Sequence, residues 1–436
     1  MSIKEFTTAD FRTRNLLLWI IGTGLLFPLF FQLSGRIYNS VEPVWDSGGV
    51  ISQLALPVSL LTCYGGLLLL VANYRRAALS LKVIAAMALI MGLSLVLADS
   101  EVNPRKILMF IQVLLPSAGL VLGQLIEDEN KIIPRAFLWT LMSIVSVQLL
   151  AGWAQGNISL TNYLYVFSIY QHYQYVPLIF ICGFVYSMSL LWDTCRKVFY
   201  FLIPLMYIYA IESFSMLTTF AFISFIGIFS FIRLKGFKKI QSILLIAVAI
   251  AGMQAYFIGM DVIMSNVVIN NEDHEGSRIF VFSRYQYTGK YQRLMKGEAP
   301  RNVTDRLGDW TLYGNGIIES ARTVFLGHPA PFPREVKTSA HNWYLDVAYN
   351  FGIISLLPVL FLSVYTLYLL WQRREILSEN MYWLAAIVFF LVIVDNNFKV
   401  TLRQPYAGTF AYFMWGMLLS GLERCRSKRE ILYRSY

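Results

Sequence analysis

Residues 82–98 read Lys-Val-Ile-Ala-Ala-Met-Ala-Leu-Ile-Met-Gly-Leu-Ser-Leu-Val-Leu-Ala, with one charge, at the first position. As a helix rising 1.5 Å per residue, such a run covers most of the ~30 Å hydrocarbon layer of a bilayer. It reads as a membrane span, and the chain repeats the pattern. Comparable runs lie near 15–33, 51–73, 107–125, 136–153 and 174–192. The stretch from Val198 to Ile232 is too long for one span and is broken at Glu212 and Ser213, which predicts two helices meeting in a tight turn. Runs near 240–260, 344–370, 381–394 and 405–421 bring the expected total to about twelve. The composition agrees. Of 436 residues, 57% are apolar and 14% charged, with mean hydropathy +0.55, against roughly 25% charged residues in a soluble domain. The fold class expected is an all-α polytopic membrane protein. The first run lacks a small-residue cleavage site and is followed by Gln32, Ser34 and Arg36, so it reads as a retained span.

Orientation follows from lysine and arginine, which resist translocation. With a cytoplasmic N-terminus, twenty-one of the 36 basic residues fall in inside segments. Only Arg36, Arg105, Lys106, Lys399 and Arg403 fall in short outer loops, and the other ten lie in one long outer loop. Both termini are therefore expected in the cytoplasm, with the basic tail 422–436 as a topology anchor beside anionic lipid. The net charge of +10 thus reflects topology and does not point to nucleic acid. Four scattered cysteines, without CxxC or Cys/His spacing, speak against a disulfide scaffold or a structural metal. The organisation expected is nine spans over 1–260, a large outer loop over 261–343, three spans over 344–421 and the tail.

An unstructured loop of that size would be unusual, so chemistry is expected there. Within it Arg306, Trp310, Tyr313, Ile317, Ala321 and Val324 recur at spacings of four, three, four, four and three, one face of a helix. Thr304 or Asp305 can cap its start and Gly327 can end it. Trp310, Ile317 and Val324 read as packing residues. An arginine in the first turn of such a helix opposes the macrodipole, and a bound phosphate would reverse that cost, so Arg306 is an anion-binding candidate. Beyond Phe325-Leu326-Gly327-His328-Pro329 comes Ser339-Ala340-His341-Asn342-Trp343-Tyr344-Leu345-Asp346, which places His341 at the outer mouth of the tenth span. A lone interfacial histidine is often only an anchor. Here an asparagine and an aspartate stand close by, and the ordinary pKa of imidazole suits a general base near neutral pH.

In this region the chain resembles the C-terminal signature of the O-antigen ligase and O-antigen polymerase superfamily. That signature has an arginine followed four residues later by tryptophan, a hydrophobic-Gly turn, then His-Asn with an apolar tail containing glycine. Arg306, Trp310, Leu326-Gly327, His341-Asn342 and Gly352 match it in order and at similar spacing, over about 50 residues. The resemblance implies a GT-C-like glycosyltransferase of the bacterial inner membrane, active at the periplasmic face without metal ion, cofactor or nucleotide sugar. Its donor would be an undecaprenyl-diphosphate-linked glycan, and its acceptor another glycan or lipid A-core. A chain-length regulator protein is a further partner that this would accommodate. His341 carries over as the base and Arg306 as a diphosphate ligand, with Asn342 as a further substrate-binding candidate. One departure is clear. The family places a second arginine after a serine between spans seven and eight, where this chain reads Glu212-Ser213-Phe214-Ser215-Met216-Leu217. Arg278, Arg284, Arg293, Arg301 and Arg322 are the candidates to replace it, and Arg278 and Arg284 flank an aromatic segment.

Residues 155–174 carry no Lys, Arg, Asp or Glu but hold Tyr163, Tyr165, Tyr170, His172 and Tyr173, which suits an interfacial belt or a platform for sugar rings. Asp395 with Asn396 and Asn397 reads as loop polarity. No phosphate-binding glycine loop, nucleophile elbow or HExxH is present. The reading favours a polymerase over a ligase. A twelve-span transporter or lipid-glycan flippase is the main alternative, disfavoured because the spans are nearly free of charge. A structural partner in an envelope complex is a third reading.

Overall fold

A computed structural model describes residues 3–32, 54–97, 103–154, 175–212, 215–236, 240–241, 243–248, 250–252, 255, 293, 296–298, 301–332 and 339–434. The tyrosine-rich stretch 155–174, Arg278 and Arg284 lie outside them. Six described helices are long and apolar enough to cross a membrane: Asn73–Leu97, Pro104–Leu125, Ile132–Ala151, Val176–Ile211, Ile353–Gln372 and Glu379–Asn397. Shorter apolar helices occupy Thr13–Leu26, Val58–Leu70, Leu217–Arg233 and Ile243–Gly252. The chain is a polytopic helical membrane protein. It divides into two units, 1–140 with 309–436, and 141–308.

In the first unit the opening elements are α1 (Ile3–Leu26), a two-stranded ribbon of β1 (Phe30–Gln32) and β2 (Ala55–Pro57), and α2 (Val58–Leu70). They are followed by α3 (Ala78–Leu97), α4 (Pro104–Leu114), α5 (Ala118–Leu125) and α6 (Ile132–Ala154), which runs on into the second unit. The last helix of the chain spans Pro405–Arg434 and packs closely on α5. Glycine makes this approach possible. A Cβ on Gly119 would lie 2.3 Å from the Thr409 carbonyl oxygen, one on Gly123 would lie 2.1 Å from that of Phe413, and one on Gly416 2.2 Å from that of Leu120. Gly119 and Gly123 are four apart and share a face, so the two backbones meet along a small-residue seam of the kind that joins helices in lipid. Tyr406 Oη donates to the Leu26 carbonyl at 2.8 Å, tying the end of α1 to the same helix. The large apolar side chains Leu89, Leu93 and Val96 of α3 are exposed, as are Phe361, Val364 and Trp371 within 353–372, as expected of lipid-facing surfaces.

The second unit contains α7 (Val176–Glu212) and α8 (Met216–Arg233). A straight helix would put Phe184 and Phe199 about 22 Å apart and Phe180 and Tyr209 about 44 Å apart. Their ring centroids are instead 5.8 and 5.6 Å apart. The chain therefore doubles back at Cys195, whose φ and ψ of −119° and 26° are not helical, and α7 is two antiparallel arms. The exposed Asp193, Arg196 and Lys197 cluster at the reversal. This agrees with the two separate runs read at 174–192 and from Val198. Ser215 caps α8, and Thr219 Oγ1 donates to the Ala210 carbonyl at 3.1 Å, which holds the start of α8 to the end of α7; Ser213, where the turn is expected, lies outside the described residues. Trp192 lies edge-on to Phe229 at 5.1 Å, and Arg233 pairs with Asp193 at 3.3 Å, so α8 returns along both arms.

After residue 300 come α9 (Arg301–Ile317), α10 (Ala321–Leu326), α11 (Trp343–Phe351), α12 (Leu357–Gln372), α13 (Glu379–Phe389) and α14, the Pro405–Arg434 helix. Two expectations change here. The single helix expected from Thr304 or Asp305 to Gly327 is two helices, because Ser320 starts a new one with a capping box to Thr323. The first begins at Arg301, so Arg306 is in its second turn and the opposition to the dipole is weaker than the sequence pattern implied. The run 344–370 is likewise broken at Gly352, with φ of 83°, and the span begins at Ile353. His341 is thus separated from that span by the short helix α11.

Candidate functional site

Residues 339–342 form a short turn leading into α11. Asn342 is the N-cap: its Oδ1 accepts from the backbone N–H of Tyr344 at 3.0 Å and of Leu345 at 3.1 Å. Just before it, His341 has φ of 49°, in the left-handed region that non-glycine residues seldom occupy. Its N–H donates to Ser339 Oγ at 3.4 Å, and its side chain is half-buried between the buried Ala340 and Asn342.

Asp346, in the first turn of α11, is buried and holds this turn from behind. Its Oδ1 accepts the Ala340 N–H at 3.4 Å, and its Oδ2 accepts a short hydrogen bond from Arg403 Nη1. Burial pushes its carboxyl up from the ordinary range, while the Arg403 guanidinium and the Ala340 N–H pull the other way. Arg403 sits in a single turn, Thr401–Arg403, between α13 and α14. A second tie runs from Asn342 Nδ2 to Asn397 Oδ1 at 3.2 Å.

The end of α13 explains why polar residues collect there. The chain widens into a π-turn over Phe390–Val394, which loosens the regular carbonyl pairing. Asn396 Nδ2 donates to the Leu391 and Val392 carbonyls, each at 3.0 Å, and Asn397 Nδ2 to that of Ile393 at 2.8 Å. Tyr344 Oη donates to the Val392 carbonyl at 2.8 Å, so α11 joins the same arrangement. Asp395 is fully buried, receives a short hydrogen bond from Thr401 Oγ1 and lies 3.3 Å from Lys399 Nζ.

Helices α9 and α10 also pack on α11. Tyr313 and Ile317 of α9 form a buried cluster with Ala340, Ala348 and Tyr349. Tyr349 lies between two parallel rings, His328 at 4.2 Å and Phe332 at 4.6 Å. His328 Nε2 is 2.9 Å from the Gly316 carbonyl oxygen and 3.3 Å from Glu319. Two glycines permit the contact. A Cβ on Gly327 (φ 75°) would meet the Asn350 carbonyl carbon at 2.5 Å, and one on Gly352 (φ 83°) the Phe325 carbonyl oxygen at 2.1 Å. The Leu-Gly turn and the glycine in the apolar tail are therefore the two halves of one backbone-to-backbone contact. Lys106, from the first turn of α4, is buried at the same place: its Nζ donates to the His328 carbonyl at 2.8 Å and lies over the Phe351 ring.

The residues singled out in the sequence are distributed as follows. His341 and Asn342 share the turn before α11. Arg322, on α10, is exposed and its Nη2 donates to the Leu97 carbonyl at 3.2 Å. Arg306 lies on α9, seven residues before Tyr313, and is half-buried. Lys106, Asp346, Asp395, Lys399 and Arg403 are all buried, although the sequence marks the three basic residues only as outer-loop charges and Asp395 as loop polarity. The mixture of acid, amide and base within 395–403 was the available signal. Among the described residues, no group of three or more His, Cys, Asp or Glu side chains could hold a metal ion.

The fold and site thus define a multi-pass helical membrane protein with buried ionic residues and a left-handed histidine in the turn before α11. Among known proteins, a 152-residue stretch is 25% identical to a "teichuronic acid biosynthesis protein TuaE" of Bacillus subtilis (strain 168). That match covers 33% of this chain and 31% of the relative, so the chain matches about a third of the relative's length. No protein-family model matches the chain.

Proposed function

We propose that the chain is a membrane glycosyltransferase of cell-surface polysaccharide biosynthesis that uses an undecaprenyl-diphosphate-linked glycan as donor, and that it acts as a polymerase more readily than as an O-antigen ligase. The proposal includes about twelve spans, with both termini cytoplasmic and the 261–343 loop outside. The observation that carries it is the placing of His341: a left-handed residue directly before a helix N-cap, half-buried, with its neighbours buried and tied on both sides. A strained residue of this type persists only where its surroundings over-determine it, and such residues concentrate at functional sites. The relative named for teichuronic acid biosynthesis supports the polysaccharide reading.

In this mechanism the His341 imidazole takes the proton from the acceptor hydroxyl as its oxygen attacks the anomeric carbon of the donor sugar. The bond between that carbon and the diphosphate oxygen breaks, and the lipid diphosphate leaves with the bonding pair. Fixed guanidinium groups suit the growing negative charge, and Arg306 is the proposed ligand, with Arg278, Arg284 and Arg322 as further basic residues of the loop. Asn342 positions the turn as a helix cap, and a substrate contact is not required to explain it. The buried charges near His341 belong to short turns and helix ends, as an active-site wall requires, whereas a transporter places them along a path through its spans.

The test is lipid analysis in a deletion strain. The strain should accumulate the diphosphate-linked repeat and lose polymer. Complementation with Arg306→Lys, which keeps the charge but loses the fork, should restore less than about a tenth of the polymer. Wild-type lipid-linked pools in the deletion strain would refute the proposal.

A further inference from the structure

The buried pair between Asp346 and Arg403 has a role that neither composition nor the loop pattern suggests. Asp346 is 1% exposed and Arg403 9%. An ion pair so far from water gives little net stability, because both charges lose hydration. Its geometry, however, is specific. One carboxylate oxygen takes the Arg403 guanidinium, and the other takes the N–H of Ala340, the residue directly before His341. Arg403 is 57 residues further along the chain, in a turn held by its own contacts: its N–H donates to the Val400 carbonyl at 3.0 Å, and the Leu402 N–H donates to Asn396 Oδ1 at 3.1 Å. The guanidinium is therefore a fixed point set by the α13–α14 connection, and the carboxylate transmits its position to the backbone that precedes the histidine. The parallel tie from Asn342 to Asn397 holds the residue that follows. His341 is bracketed from the same connection on both sides.

We propose that Arg403 is a positioning residue: through Asp346 it fixes the turn that aims the His341 side chain, touching neither donor nor acceptor. The proposal rests on the glycosyltransferase reading above and deepens it. A misplacement of about 1 Å at a reacting group costs on the order of 100-fold in rate without loss of binding. An arginine that held the diphosphate itself would instead change the Michaelis constant for the donor. A purely structural arginine would change only the amount of folded protein.

These differ in purified full-length protein supplied with the lipid extract of a deletion strain as donor, with turnover expressed per folded molecule. Two variants keep the site compact: Arg403→Lys, which retains the charge, and the double variant Asp346→Asn with Arg403→Gln, which keeps a hydrogen-bonded pair without net charge. Both are expected to lose about 10- to 100-fold in kcat with KM for the lipid donor within about twofold of wild type. A readout independent of turnover is carbethoxylation of His341 by diethyl pyrocarbonate, followed by mass spectrometry of its peptide. Its rate should rise in both variants as the turn loosens. Wild-type kcat per folded molecule in either variant, or a raised KM at unchanged kcat, would overturn the positioning role. His341→Ala is run alongside. Wild-type turnover in that variant removes the base from the mechanism, whereas an inactive His341→Ala beside a fully active Arg403→Lys removes only the present proposal.

Discussion

Replacing Gly352 by alanine changes one methyl group and should disable the junction between the loop helices and the span. Two costs act together. The backbone at Gly352 has φ of 83° with ψ of 159°, a region essentially restricted to glycine, where another residue costs about 1–3 kcal/mol. The added Cβ would also stand 2.1 Å from the Phe325 carbonyl oxygen and 2.4 Å from its carbon. Backbone cannot rotate aside as a side chain can, so separating the two segments adds about 1–3 kcal/mol of overpacking strain. Together they amount to about 2–6 kcal/mol. Gly314, within α9, provides the control, because a Cβ there meets nothing within 4 Å. Its change to alanine should be neutral or stabilising by up to about 1 kcal/mol, from helix propensity. Thermal unfolding of both detergent-purified variants, followed by size-exclusion of the soluble fraction, measures the difference. At about 2 °C per kcal/mol for a large chain, Gly352→Ala should fall by several degrees while Gly314→Ala holds or rises. A Gly352→Ala midpoint equal to wild type would refute the backbone-contact explanation of Gly327 and Gly352.

Three further outcomes follow from the same structure. Ile318 is 70% exposed in the segment between α9 and α10, whereas Ser339 is buried, so cysteine at 318 is the better topology reporter. It should react with a membrane-impermeant maleimide in intact cells whose outer barrier is opened, and labelling only after lysis of the inner membrane would reverse the proposed orientation. Removing the N-cap by Asn342→Ala should lower stability by about 1–2 kcal/mol, and also polymer output, since both capping bonds and the Asn397 tie are lost. An unchanged unfolding midpoint would contradict the cap. Treating purified protein with EDTA should leave turnover intact if guanidinium groups alone offset the diphosphate charge, and activity lost to EDTA and restored by Mg²⁺ would contradict that part of the mechanism.

Apolar runs were legible because the lipid demands them on every face of a helix, so helices such as α3 and the Ile353–Gln372 span stand out without any partner. The division of 198–232 into two helices was legible because polar residues interrupted the run. The break at Gly352 was not. A single glycine in an apolar stretch reads the same whether it lies within a helix or turns the chain, and only the approach of Phe325 decides between them. The helix start at Ser320 was hidden for a related reason: the apolar face continues in register from Tyr313 to Val324 across the break, and the stripe masks the cap. Arg306, His341 and Asn342 stood out by residue type alone, which gave no hint of the cap that Asn342 provides or of the left-handed backbone at His341. Asp346 and Arg403 were not visible as a pair, because a contact 57 residues apart leaves no local pattern. Counting Lys106, Lys399 and Arg403 for topology said nothing of their burial, which a charge count does not reach.

The central claim is that His341 is the base of a glycan transfer. Purified wild-type protein and His341→Ala, matched for folded amount and given lipid-linked repeat extracted from a deletion strain, test it directly. The wild type should convert the repeat to a ladder of longer lipid-linked chains and the variant should lose at least about 100-fold in rate, with its unfolding midpoint unchanged. A ladder formed by His341→Ala at the wild-type rate would contradict the account.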